Sequence, residues 1–267
     1  MLTAPTRDFL KDPATVLITG ASSGIGAALA RSYARPGRRL ILIGRDQARL
    51  DAVADKVRDA GADVHSATID VTDTNFVTDW LERVDHDTPI DLAIANAGIS
   101  GGGEGGSESR EQIDRIFAVN VTGMLNTVLP LLPRMRARSR GQVALMGSLA
   151  GLRGFPGAPA YCASKAAVLS YGDSLRVALK GSGVSVSVIL PGFVESAMTA
   201  RNPYRMPFKM TADEAAEIIR RKLAKGRGRI AFPLAMAVAA RAGQILPWPI
   251  VDLLLSRAPS KPPMDEA

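Results

Sequence analysis

Short apolar runs rich in β-branched residues alternate with longer stretches of helical period along most of this chain, and that alternation leaves few folds open. Runs at 15–19, 39–43, 63–69, 91–95, 141–147, 184–190 and 229–232 read as strands. Segments at 24–35, 46–60, 73–85, 108–138, 157–181 and 211–225 read as helices, each long enough to cross a sheet face, as parallel neighbours require. The pattern predicts the α/β class: a doubly wound sheet of about seven parallel strands with helices on both faces. No linker, repeat or charge block divides residues 1–267, so the chain parses as one domain, with the Gly-rich stretch 100–106 as a mobile loop. Residues 193–210 and 233–256 stand outside the alternation, and 257–267, with three prolines, reads as a disordered tail.

Composition narrows the function classes. With 46% hydrophobic and 22% charged residues there is ample material for one sizeable core. The net charge of +7 raises a nucleic-acid partner, but the two dense basic stretches, Arg134 to Arg140 and Lys222 to Arg229, fall where helices are expected to end. Four Tyr and two Trp, not interleaved with basic residues, make a poor stacking platform, so no nucleic acid is expected. The single cysteine, Cys162, excludes an internal disulfide, and MLTAPTRDFLKDP holds no apolar run; both point to the cytoplasm. His65 and His86 lack neighbours at ligand spacing, so no metal is expected.

The first strand runs into Thr19-Gly20-Ala21-Ser22-Ser23-Gly24-Ile25-Gly26 and then directly into a helix. Gly20 suits a tight turn, Gly24 lets backbone approach a pyrophosphate, Gly26 permits close helix packing, and the helix N-terminus offers free N–H groups to phosphates. The same turn also fits the G-x-S-x-G elbow of α/β-hydrolases with Ser22 as nucleophile, but no histidine follows His86 to complete a triad. Farther on come Asp70, Asn96-Ala97-Gly98, Asn120, Ser148, Tyr161 with Lys165, and Pro191-Gly192. In that order they resemble the short-chain dehydrogenase/reductase family over nearly the whole chain, and the resemblance implies a Rossmann-type fold.

By this resemblance Gly20, Ser22, Ser23, Gly24, Ile25 and Gly26 hold a dinucleotide; Asp70 and Val71 border its adenine, and Asn96, Ala97 and Gly98 close over the adenosine side. Pro191, Gly192 and Val194 complete the cofactor contacts. Asp70 would equally cap the next helix, and Asn96-Ala97-Gly98 would equally form an ordinary turn. NAD-preferring members place a carboxylate where Gly44 stands; here Arg45 follows instead and offers a fork of donors to a 2′-phosphate, which favours NADP(H) over NAD(H). Asp46 would oppose that phosphate if it turned inward.

Tyr161 and Lys165 stand four apart in a helical segment and so share a face. A nearby ammonium and an oxidised nicotinamide are together expected to favour the phenolate and lower the phenol, making Tyr161 a usable general acid and base. Ser148 would bond the substrate oxygen. The resemblance gives Asn120 a water beside the lysine; alone, Asn120 would equally bond backbone. Tyr161 and Lys165 also contact the cofactor in this reading. The chain is thus expected to interconvert a carbonyl and an alcohol by hydride transfer, with an idle NADP-binding scaffold as the alternative. Homodimer or homotetramer assembly is expected. Substrate choice falls to 193–210 and the C-terminal segment; in the loop Phe193, Met198, Tyr204, Met206, Phe208 and Met210 mix with Arg201, Arg205 and Lys209, which suits an apolar substrate, with or without an acidic group, and equally a covered loop with solvated cations. Residues 233–256 are apolar but broken by Pro233, Pro247 and Pro249, which argues against a transmembrane helix and leaves a lid, a subunit contact or a membrane-surface contact.

Overall fold

Seven parallel strands form one sheet in the order β3-β2-β1-β4-β5-β6-β7: β1 Thr15–Thr19, β2 Arg39–Gly44, β3 Asp63–Thr68, β4 Leu92–Ala95, β5 Gly141–Met146, β6 Val184–Pro191 and β7 Arg229–Phe232. The structure is a computed structural model and describes residues 8–103, 106–255 and 261–264. All seven strands lie within one or two residues of their expected bounds. The helices are α1 Asp8–Lys11, α2 Gly24–Tyr33, α3 Gln47–Asp59, α4 Thr74–Asp87, α5 Arg110–Phe117, α6 Gly123–Val128, α7 Leu131–Ala137, α8 Pro159–Ala178, α9 Ala197–Ala200, α10 Ala212–Leu223, α11 Leu234–Ile245 and α12 Trp248–Leu255.

Strand periodicity divides the core in two. On β1, Val16 and Ile18 face a layer built by Leu29 of α2, Leu50 of α3 and Ile219 of α10, while Leu17 faces Leu81, Val128, Met135 and Val168 of α4, α6, α7 and α8. Both sides of these strands are covered, which is why they read as continuous apolar runs. The helix expected at 108–138 is instead α5, a π-helical turn over Ala118–Thr122, α6 and α7. This stretch, Arg110–Ala137, is long and apolar enough to cross a bilayer, but its apolar window is 61% buried within the fold, as befits a core helix.

The basic stretches do lie at helix ends. Arg138 follows α7 and forks onto the buried Asp85, Arg140 pairs with the buried Asp91, and Arg220, Arg221 and Lys222 close α10.

The C-terminal tail departs from expectation. Residues 257–260 and 265–267 lie outside the described residues, but Lys261–Met264 is docked: Gly102 N–H donates to Pro262 O (3.0 Å), and Met264 N–H to Gln112 Oε1 (2.8 Å). The partner is the 100–106 stretch, read from sequence as a mobile loop. A Cβ on Gly101 would meet Met264 Cγ at 2.7 Å and one on Gly102 would meet Lys261 Cβ at 2.6 Å, so the glycines are what let the tail lie flat. Residues 233–256 form α11 and α12. Met236, Ala237 and Ala240 pack on Leu149, Leu169, Val188 and Leu190, so α11 is a wall of the cleft described next.

Candidate active site

The strand order reverses at β1, whose neighbours are β2 on one side and β4 on the other, and this opens a crevice beyond the strands' C-terminal ends. Thr19 ends β1 there. Its hydroxyl accepts from the N–H groups of Asn96 (3.1 Å) and Ala97 (3.2 Å), while Asn96 Nδ2 donates to Thr19 O (2.9 Å) and Gly20 O (3.2 Å). Asn96 thereby staples the glycine turn to the end of β4. Gly20 takes φ +65°, and a Cβ on Gly26 would meet Gly20 O at 2.1 Å, so α2 starts closer to the turn than any side chain permits. Ser23 caps α2 with no side-chain bond to the first turn, leaving that turn's N–H groups to an anion.

At the end of β2, Arg45 stands 3.8 Å from Asp70 with both side chains about half exposed. Asp46 caps α3: it accepts from Arg49 N–H (2.9 Å) and Arg49 Nε (2.7 Å), and the backbone bond, then the guanidinium, hold it below the usual carboxylate range. Its carboxylate is thus engaged away from any phosphate at Arg45. Asp70 accepts from the N–H (2.9 Å) and hydroxyl (2.8 Å) of Thr72, so it shapes the turn after β3.

Lys165 is buried, and its ammonium donates to Met146 O at 2.8 Å, 5.8 Å from the Tyr161 ring centroid. Burial pushes Lys165 down to about 8. In the protein alone, burial raises the Tyr161 phenol and the facing Ser148 hydroxyl opposes this. The same ammonium thus bonds Met146 O while standing over the Tyr161 ring. Ser148 Oγ accepts from Ala150 N–H (3.1 Å) and reaches Pro191 O (3.4 Å).

Asn120 sits in the π-helical turn, where one extra residue per turn re-aims its side chain. Its amide clamps Ile99, accepting from the N–H (2.8 Å) and donating to the carbonyl (3.0 Å), and also donates to Ser164 Oγ (2.9 Å). The backbone role is the observed one. Ser164 was not singled out in the sequence, although it lies one turn from Tyr161 and donates to that residue's carbonyl (2.8 Å). Ser100 and Lys261 are likewise site residues without a motif to mark them, whereas Thr19 opens the glycine-turn string.

One cleft of about 880 Å³ collects nearly every expected residue: Gly20, Ser22, Ser23, Gly24, Ile25, Arg45, Asp70, Val71, Asn96, Ala97, Gly98, Ser148, Tyr161, Lys165, Pro191, Gly192 and Val194. Gly26 and Asn120 stand behind its wall. The far end is lined by Phe193, Met198 and Tyr204 from the 193–210 loop and by Met236 of α11. In that loop Ser196 and Thr199 cap α9 reciprocally, and Val194 bridges to Met210. The glycine cradle and the phenol–ammonium pair thus open on the same space.

Comparison with known proteins agrees. An uncharacterized oxidoreductase of Myxococcus xanthus is 39% identical over 244 residues, covering 91% of this chain and 96% of the relative. The solved short-chain dehydrogenase of Sphingobium yanoikuyae, in complex with NADPH, superposes with TM-score 0.77 at 32% identity over 92% of this chain and 96% of its own. A short chain dehydrogenase/reductase of Burkholderia phymatum, in complex with NAD, gives TM-score 0.80 at 27% identity over 95% and 99%. Residues 14–206, which run from just before β1 through α8 into the 193–210 loop, match the family described as short chain dehydrogenase, and on sequence, fold and likeness together the chain belongs to that family of oxidoreductases.

Proposed function

We propose that this protein is an NADP(H)-dependent oxidoreductase that interconverts a carbonyl and an alcohol, with Tyr161 as the proton donor and acceptor. The observation that carries this reading is that Tyr161, Ser148 and Lys165 line the same cleft as the glycine turn after β1. A bound nicotinamide supplies or accepts the hydride. Ser148 holds the substrate oxygen toward the phenol, and Tyr161 gives that oxygen its proton in reduction and takes it back in oxidation. Lys165 keeps a fixed cation beneath the site, and Asn120, through Ile99 and Ser164, fixes the end of the β4 loop against α8. The absent carboxylate at Gly44 and the fork of Arg45 favour a 2′-phosphate. Relatives with NADPH and with NAD both exist, so the preference rests on these two positions.

Following cofactor absorbance over a panel of ketones and alcohols, with NADPH and NADH in parallel, tests the reading. Tyr161→Phe is expected to lower kcat by about 10²–10⁴ while cofactor affinity stays. A Tyr161→Phe protein with full turnover ends it.

A membrane-surface role for 233–256 is favoured by one observation: Leu234, Val238, Ile245, Trp248 and Leu253 are each at least 60% exposed. Co-sedimentation with phosphatidylglycerol vesicles, lost on replacing Val238, Ile245 and Trp248 by Ser, is the expected result; equal pelleting of both proteins removes this role.

A further inference from the structure

A second lysine faces the catalytic phenol. Lys261 Nζ stands 4.7 Å from the Tyr161 ring centroid and donates to Ser100 Oγ at 2.7 Å. Its backbone is pinned on all sides. Lys261 N–H donates to Gly157 O (3.3 Å), Pro262 and Met264 are tied to Gly102 and Gln112, and Arg201 donates to Pro263 O (3.0 Å). Gln112 is itself buried and fixed to Gly102 O (2.9 Å). The ammonium is therefore delivered by a fitted stretch of chain that glycines 101 and 102 accommodate, not by a loose surface side chain.

The surroundings do not explain the charge. Lys261 lines the same cleft as Tyr161 and Ser100, and among the described residues it forms no ion pair with a carboxylate. Burial pushes it down to about 8, with the Cys162 thiol, adjacent to Tyr161 on α8, acting weakly the other way. A cation partly withdrawn from water is costly unless an anion meets it. A single ammonium beside one hydroxyl matches the single charge of a carboxylate, whereas a phosphate ester calls for more donors.

We propose that Lys261 is a specificity-determining residue that receives the carboxylate of an oxo-acid while the same molecule's carbonyl is presented to Tyr161 and Ser148. The assignment rests on the proposed carbonyl chemistry of the site. It makes the substrate class an oxo-acid with an apolar body and its carboxylate within a few bonds of the carbonyl.

Benzoylformate and 3-benzoylpropionate, each against its methyl ester, are suitable probes. Their affinities for the complex of the full-length protein with NADP⁺, which cannot reduce them, are measured by calorimetry in wild type, Lys261→Met and Lys261→Arg. A thermal melt and an NADP⁺ titration check the folding of each variant. The wild type is expected to bind at least one acid about tenfold or more tighter than its ester. Lys261→Met is expected to bring that ratio to about one, and Lys261→Arg to hold most of it. A wild type that binds neither acid or shows no acid preference, or a Lys261→Met protein that keeps the preference, overturns the assignment. Turnover with NADPH is read separately: acid binding without reduction of any probe counts against the carbonyl chemistry and leaves the anion site standing.

Discussion

The two ends of the cleft are built by different means. At the cofactor end, the contacts that shape the space close on backbone atoms: the turn at Gly20, the Thr19 and Asn96 side chains that staple that turn's backbone to the end of β4, and the start of α2 against Gly20 O. At the substrate end the walls are side chains on separate pieces of chain, namely Phe193, Met198 and Tyr204, Met236 on α11, and Lys261 from the tail. A site made of backbone tolerates almost no change, whereas a site made of side chains is altered one residue at a time without disturbing the fold. The first end therefore reads as shared family machinery and the second as the place where members differ.

Substitutions on either side sharpen or break this contrast. The largest effect is expected from Gly26→Val, whose branched side chain would be driven into Gly20 O; NADPH affinity should fall by at least about 10²-fold and the melting temperature should drop, as overpacking costs about 1–3 kcal/mol. Fluorescence titration and a thermal melt measure both, and normal affinity would show that the turn is adaptable after all. Arg45→Ala is next: KM for NADPH should rise about 10-fold to 100-fold with KM for NADH nearly unchanged. Equal effects on the two cofactors would remove Arg45 as the discriminator.

Lys165→Met should lose turnover yet gain stability. The native amine titrates near 8 against 10.5 for an ordinary lysine, so between those values the unfolded chain holds the extra proton and wild-type stability rises with pH. At pH 7 the full burial penalty, about 3 kcal/mol, is present; less about 1 kcal/mol for the Met146 carbonyl left without its donor, Lys165→Met should gain about 2 kcal/mol. Denaturant melts at pH 7 and 10.5 read this, and a gain that does not shrink at the higher pH contradicts it. The smallest effect belongs to the substrate end: Met198→Ala should change KM for a ketone less than about tenfold and leave NADPH affinity alone. A matching loss of cofactor affinity would mean that the two ends are not separable.

Legibility in the sequence followed the same division. The turn from Gly20 to Gly26 is contiguous and the Tyr161–Lys165 pair lies on one helix, so both could be read from spacing. The alternation of strands and helices is set by the two-sided burial of β1, β2 and β5, and it located every strand. The docking of Lys261–Met264 was not readable, because prolines and a lysine look like any solvated tail until the glycines of the distant 101–102 loop are seen beneath them. Nor was the depth of Tyr161: the spacing places an ammonium nearby but does not say that the phenol will be buried.

The π-helical turn over Ala118–Thr122 ties two otherwise unrelated jobs together. Winding it as regular α-helix with all of its residues kept would swing everything downstream by about 100° about the axis. Asn120 would lose Ile99, and in the same motion Asn126, Val128 and Met135 would rotate off Val71 and the sheet. A polar anchor of the reaction centre and the apolar seam of half the molecule thus share one phase, and neither can be shifted without the other.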